Sequence, residues 1–496
     1  MLLNPKLYEI NTRVWIKKFG KGATLSNIPI NYFEDLANKG INIIWLLGVW
    51  DICKELIDEY CFTPELTADY SKALKDWKKE DVTGSPFSIE DYSINPSLGS
   101  LPELGKLRKE LNKLGIKLIL DFIPNHFGAS TRLIRTNPNV FLKADEKLFA
   151  DDPYTFFKNK YNNNIYAHGR DPLFPSWMDT IQVNYFGEEA REFMTGKLLK
   201  LSEFCDGVRC DMAMLQLNNV FQNTWLGVLN RNEIKKPKEE FWKSAIDKVK
   251  MVEKDFIFIA EVYWNLEWQL QQLGFDFTYD KSLTDRLGSK DIQGVRGHLM
   301  AEKDYQLKSM RFLENHDELR SIEKFGKKES LAAAILITTI QGMKLYYDGQ
   351  FEGKRIKTPV QLGREPIEKI SESSQNFYFR LLSITKEEIF IKGEWMMIDP
   401  LPAADNNPSY ENILTWQWKL GDDIRLVVIN YSDVTSQCRL KIQLASTSNE
   451  IKLVDLLNDV EYYRSVSEIK TTGLFIELKS YNSHIFALKD AISYYR

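Results

Sequence analysis

Eight short apolar runs recur along the chain, each ending in polar residues, and that recurrence constrains the fold more than any other feature. They are LYEINTRVW (7–15), INIIWLLGVW (41–50), IKLILDFIPN (116–125) and GVRCDMAM (207–214), then FIFIAEVYW (256–264), FDFTYD (275–280), SMRFLENHD (309–317) and MKLYYDG (343–349). Runs of four to eight apolar residues without alternation fit strands buried on both faces, as in parallel sheets. Between them lie amphipathic stretches: LPELGKLRKELNKLG (101–115), GEEAREFMTGKLLKLSEF (187–204), KEEFWKSAIDKVKMVEK (238–254) and KESLAAAILITTIQG (328–342). Apolar residues recur there at spacings of three and four, as helices facing a core require. Gly115 stands where a helix C-cap is expected. Eight strands alternating with helices read as a (β/α)₈ TIM barrel rather than a doubly wound sheet, which usually has fewer strands.

The spacing also places the appendages. About 80 residues separate the third run from the fourth, and a structureless loop of that length does not suit a compact domain. Residues 127–186, rich in Asn, Asp, Pro and Tyr, are expected to form a small inserted subdomain at the barrel mouth. Residues 50–95 form a second long loop on that side. Beyond residue 391 come NILTWQWKL, IRLVVINYS, QCRLKIQL, EIKLVDLL, GLFIELK and SHIFALK, partly alternating runs without helical crossovers. They read as a C-terminal antiparallel β-sandwich domain. The expected domains are therefore a barrel over 1–126 and 187–391, an insert over 127–186, and an all-β domain over 392–496.

Composition narrows the function classes. Basic residues number 65 and acidic ones 69, so there is no large positive field for nucleic acid. No stretch of about eighteen apolar residues suggests a membrane span. The N-terminal MLLNPKLYEINTRVW lacks the features of a signal peptide, so a cytoplasmic location is expected. The five cysteines include no metal-type Cys-x-x-Cys; Cys205 and Cys210 read as buried small hydrophobes.

Three carboxylates stand out because each ends a run: Asp211 after GVRC, Glu261 after FIFIA and Asp317 in FLENHD. In a barrel, the C-terminal strand ends carry the active site. Cleaving a glycosidic bond needs two carboxyl groups, one a protonated acid and the other a nucleophile or base. Each acid also has a plainer reading. Asp211 could cap the next helix, Glu261 could pair with a lysine or arginine, and Asp317 could hold a turn. Arg209 lies two residues before Asp211 on the same strand face, where a fixed cation keeps a nucleophile ionised. Val262, Tyr263 and Trp264 follow Glu261 as an aromatic wall that would desolvate it. His126 and His316 sit at strand ends too. They could ligate a metal, but the first run lacks His-x-His, and hydrogen bonds to sugar hydroxyls suit them better.

DFIPNH, GVRCDMAM, FIAEVYW and FLENHD, in this order, resemble the four short conserved regions of the α-amylase family (glycoside hydrolase family 13). SPFSIEDYSINPSLG (85–99) is similar to that family's strand-two loop, and WMDTIQVNY (177–185) to the segment closing its inserted domain. The resemblance covers roughly residues 7–390. It implies a retaining hydrolase of α-1,4-glucosidic bonds in starch- or glycogen-type glucans or maltooligosaccharides, nearest to a starch-active intracellular branch. A transglycosylase, whether a glucanotransferase or a disaccharide-forming or isomerising enzyme, is the alternative. Asp211 would be the nucleophile, Glu261 the general acid/base and Asp317 the transition-state stabiliser. Arg209, His126, His316, Phe87 and Trp264 would bind substrate, and Asp121 and Asn125 would brace the strand-three loop. Phe87 replaces the family's stacking tyrosine. Met214 and Leu215 stand where many α-amylases have Lys-His, and YYDGQFEG (346–353) departs from the commoner Gly-x-Glu ending. No cofactor is required by this reading, and Asn125 is the one candidate ligand for a structural calcium ion. The expected partner is an α-glucan or oligosaccharide substrate.

Overall fold

The computed structural model describes residues 2–444 and 448–490. Eight parallel strands close a barrel: β1 (Lys6–Asn11), β2 (Ile43–Leu47), β3 (Lys117–Phe122), β4 (Gly207–Cys210), β5 (Ile257–Ala260), β6 (Phe277–Tyr279), β7 (Ser309–Arg311) and β8 (Met343–Tyr347). They follow one another around the barrel in chain order. All eight predicted runs carry a strand. Each strand is shorter than its run, because the polar tail of the run turns out of the sheet. The first run differs most. β1 stops at Asn11, and Thr12–Trp15 forms a short helix. Val14 and Trp15 are buried in that helix. An apolar run fits a buried helical turn as well as a strand, so periodicity could not separate the two.

By packing, the chain forms two compact units. The first comprises Leu7–Tyr279 with Ile356–Ile367. In it β3 and β4 pair with Asp121 opposite Arg209, and β4 and β5 pair with Cys210 opposite Ala260, so the residues following each strand emerge at one level. The helix Leu101–Lys113 feeds β3, burying Leu104, Leu107 and Leu111. Gly115 then adopts φ +75°, and the N–H groups of Gly115 and Ile116 bond back to Asn112 and Leu111. That left-handed residue closes the helix and turns the chain directly into the strand. Residues 127–186 hold a three-stranded antiparallel sheet of Lys143–Ala144, Ile165–Ala167 and Phe156–Lys158. His126–Gly128 pairs separately with Thr180–Gln182. The 50–95 loop has its own small core around Cys61, Tyr70, Leu74 and Val82.

The second unit comprises Leu2–Lys6, Asp280–Arg355 and the described residues from Glu368 on. Its later part adds β9 (Glu394–Met397), β10 (Ile413–Leu420), β11 (Asp423–Asn430), β12 (Ser436–Leu440), β13 (Glu450–Asp455), β14 (Val460–Ser465), β15 (Leu474–Leu478) and β16 (Ser483–Asp490). Six of these form an antiparallel sheet in the order β9-β10-β11-β16-β13-β14, and β12 pairs with β15. Leu426, Val428 and Phe486 of the large sheet share one core with Cys438, Leu440, Leu474, Ile476 and Leu478 of the small one. β9 and β14 were not anticipated. Both are edge strands with largely exposed side chains, so neither shows a clear apolar run. The helix Val466–Thr471 between β14 and β15 corrects the expectation of a domain without helical connections. All five cysteines are buried and unpaired. Among the described residues no helix is long and apolar enough to cross a membrane.

Candidate active site

In the first unit the residues following β4 and β5 meet around one guanidinium. Arg209, 1% exposed, donates from Nη1 to Asp211 Oδ1 at 2.7 Å. Its Nη2 lies 2.8 Å from Glu261 Oε2, an ion pair without hydrogen-bond alignment. Its Nε donates to the Tyr279 hydroxyl at 3.2 Å. The rings of Trp45, Tyr279 and Phe87 lie 5.2–5.7 Å from the guanidinium carbon. Burial opposes the charge on Arg209, but Glu261, Asp211 and Asp121 outweigh it and hold the group well above the usual arginine value. A permanent cation therefore fixes both acids. The contact with Arg209 is the salt bridge of the plainer reading of Glu261.

Glu261, 4% exposed, has two further donors. Met212 N–H bonds to Oε2 at 2.7 Å, and the Tyr263 hydroxyl donates to Oε1 at 2.9 Å. Met212 reaches that position in a left-handed conformation, φ +44°, which costs energy for a non-glycine residue. Two backbone bonds lock the adjoining segments: Asp211 N–H to Phe122 O and Ala213 N–H to Glu261 O. Trp264, expected to touch substrate, is 36% exposed and also left-handed, φ +66°. Its ring is open to solvent, while Tyr263 meets Glu261 through its hydroxyl.

Asp121 braces the second strand's end rather than its own loop alone. Its Oδ1 accepts from Trp45 Nε1 at 3.0 Å and its Oδ2 from Gly48 N–H at 2.9 Å. Its carbonyl accepts from Trp50 Nε1 at 2.7 Å. His126 is buried, with its ring 5.3 Å from that of Trp177. Burial pushes its imidazole down to about 3, and a backbone contact with Phe87 offsets part of that. His126 is therefore neutral at physiological pH.

Asn125 was the candidate calcium ligand, and its surroundings do not suit a cation. Gln182 Nε2 donates to Asn125 Oδ1 at 3.1 Å, to Asn125 O at 2.9 Å and to Val183 O at 3.0 Å. An amide N–H group thus takes the oxygens that hard cations require. Among the described residues no cluster of three His, Cys, Asp or Glu side chains could hold a metal ion.

In the second unit His316 and Asp317 follow β7. His316 is buried, Asp317 is exposed, and His316 Nε2 lies 3.0 Å from Asp317 Oδ2. Asn315 Oδ1 shapes the turn by accepting from the N–H groups of Asp317 and Glu318, both at 2.9 Å. Glu314, which alternation puts on the same side as His316, is an anchor. It accepts from Arg320 Nη1 at 2.8 Å and from Ser321 N–H at 2.6 Å.

Sequence reasoning missed Tyr279, Gln182 and the Tyr263 hydroxyl as site components. Tyr279 ends β6 as Arg209 nears the end of β4, and Gln182 is a polar residue between the apolar Ile181 and Val183. Those two positions are the signals that could have singled them out.

A (β/α)₈ barrel with buried carboxylates gathered on one arginine at its strand ends carries them at the face where barrels of the enzyme type place their active sites. The chain belongs to the alpha-amylase family: residues 36–376 match the family model described as alpha amylase, catalytic domain. Among curated proteins it is similar to alpha-amylase MalA of Haloarcula japonica, 22% identical over 356 residues, covering 70% of this chain and 47% of that one. It is also similar to alpha-amylase 2 of Dictyoglomus thermophilum, 24% identical over 369 residues, covering 70% and 58%. The chain thus matches about half the length of these relatives. The noncanonic maltogenic alpha-amylase AmyB of Thermotoga neapolitana shares its fold, with a TM-score of 0.68, 21% identity and 98% of each chain covered.

Proposed function

We propose that this chain is a retaining glycoside hydrolase that cleaves α-1,4-glucosidic bonds of starch- or glycogen-type glucans or maltooligosaccharides. The observation that carries this reading is the single guanidinium of Arg209 holding Asp211 and Glu261. In the first half-reaction Glu261 gives its proton to the glycosidic oxygen, the C1–O bond breaks, and an Asp211 oxygen bonds to C1. In the second, Glu261 takes a proton from water, whose oxygen attacks C1 and releases Asp211. Asp317 stabilises the distorted ring, and Arg209, His126, His316, Phe87 and Trp264 line the sugar. The catalytic barrel spans 1–126 and 187–391, the inserted subdomain 127–186, and a C-terminal domain of antiparallel strands with one short helix begins at residue 392. Five buried, unpaired cysteines fit a reducing compartment, which supports a cytoplasmic location testable by fractionation.

The test is time-resolved product analysis on maltooligosaccharides, by size and anomer, with Asp211→Asn and Glu261→Gln alongside. The expected result is shorter products released first as α-anomers. Each variant should lose several orders of magnitude in turnover while melting like the parent. β-Anomers at first release, or full turnover in either variant, would overturn the assignment. Longer products appearing before short ones would replace hydrolysis with glucan transfer by the same acids.

A further inference from the structure

The contacts of Glu261 distinguish its two oxygens. Oε2 faces Met212 N–H at 2.7 Å and Arg209 Nη2 at 2.8 Å. Neither group can accept a hydrogen bond: one is a backbone amide, the other a guanidinium. A proton on Oε2 would point at a donor, and the donors would lose their acceptor. Oε1 faces the Tyr263 hydroxyl at 2.9 Å, a group that donates or accepts by rotating about its C–O bond.

We propose that Tyr263 is a positioning residue that holds the catalytic proton on Oε1 of Glu261 and reverses its hydrogen bond as that proton comes and goes. The proposal rests on the acid/base role given to Glu261 above. When Glu261 is protonated, the phenol oxygen accepts from Oε1–H in the free enzyme, and with substrate bound that O–H turns to the glycosidic oxygen and gives it the proton. As the C1–O bond breaks and Asp211 bonds to C1, Oε1 becomes anionic and the phenol turns to donate to it. In the second half-reaction the water proton returns to Oε1 and the hydroxyl turns back. The phenol proton never leaves its oxygen, so no further acid or base is required. Met212 and Arg209 hold Oε2 throughout, which keeps the carboxyl plane fixed while the opposite oxygen changes state.

Tyr263→Phe in the full chain removes one oxygen from a half-buried side chain. Two substrates read its effect: a maltooligosaccharide, whose sugar leaving group needs the proton, and α-maltosyl fluoride, whose fluoride leaves with little protonation. The expected result is a kcat/KM loss of roughly 10-fold to 100-fold on the oligosaccharide and no comparable kcat/KM loss on the fluoride, because kcat/KM reads the first half-reaction alone. Hydrogen bonds to charged acceptors are about twice as strong as neutral ones, so the phenol favours the anion. Its removal should move the alkaline limb of kcat/KM upward by about 0.5 to 1 pH unit. Equal losses on both substrates, no loss on either, or an unmoved limb would each overturn the proposal. 3-Fluorotyrosine at position 263 keeps the ring and makes the hydroxyl a stronger donor. It should move the limb downward, and it decides the matter should Tyr263→Phe melt early. Glu261→Gln separates the underlying reading: a variant that still turned over the oligosaccharide would sink the acid assignment itself, whatever Tyr263 did.

Discussion

His126 should make the protein sensitive to mild acid, through burial rather than through any broken contact. Its imidazole, ordinarily near 6.5, is pushed down to about 3 by burial. A depressed histidine favours the neutral form in the folded state. The associated stability is complete above about 6.5 and is lost as pH falls toward 3, because the unfolded chain binds a proton that the folded one refuses. Between pH 7 and pH 5 this one group should cost about 2 kcal/mol. His168 is also lowered by burial and acts in the same direction, so the parent protein alone does not isolate the effect.

His126→Asn does isolate it. Urea unfolding at pH 7 and pH 5, at constant ionic strength, should show the variant losing about 2 kcal/mol less than the parent across that interval. The five histidines also permit a direct check with ¹⁵N-labelled imidazoles. The resonance missing from the variant should stay neutral in the parent down to pH 4. A resonance titrating near 6.5, or equal losses in parent and variant, would refute the argument from burial.

Three further outcomes are expected. Glu314→Gln should destabilise the fold by about 3 to 5 kcal/mol, read by denaturant unfolding, because Arg320 would remain buried without its counter-charge. Lys6 is pushed down to about 8 by burial, so stability should rise by about 2 kcal/mol between pH 8 and pH 10 as the unfolded chain gives up its proton, and Lys6→Met should flatten that rise. Chelation with EDTA should leave both melting temperature and turnover unchanged, because Gln182 occupies the oxygens of Asn125.

How far such features could be read from the chain depends on how local their causes are. Ile43–Leu47 is buried along its whole length, so it had to be apolar throughout, and the run announced itself. The ends of β4 and β5 were equally visible, because an acid directly after a buried strand is rare without a partner. Arg209 could be paired with Asp211 because they sit two residues apart on one face. Its bond to Tyr279 spans 70 residues, and that of Gln182 to Asn125 spans 57. No periodicity encodes such meetings; strand register and loop closure create them. Glu314 shows the middle case, since alternation puts it on the same side as His316 but cannot show that the turn brings back Arg320, six residues later.

The sharing of Arg209 poses a problem that its position alone does not solve. A retaining mechanism asks the two carboxyls for different states at the same moment, Asp211 charged and Glu261 protonated. A cation hydrogen-bonded to Asp211 and ion-paired with Glu261 favours the charged form of each, so its charge alone does not tell them apart. The distinction must come from what each acid meets besides the guanidinium. Glu261 has a fixed donor in Met212 N–H on one oxygen and a hydroxyl that can reverse on the other. The first resists any proton placed on Oε2, whereas the second accommodates one on Oε1. Arg209 therefore sets the geometry of the pair, and in the proposed mechanism the asymmetry around Glu261 favours Oε1 over Oε2 as the atom that carries the proton.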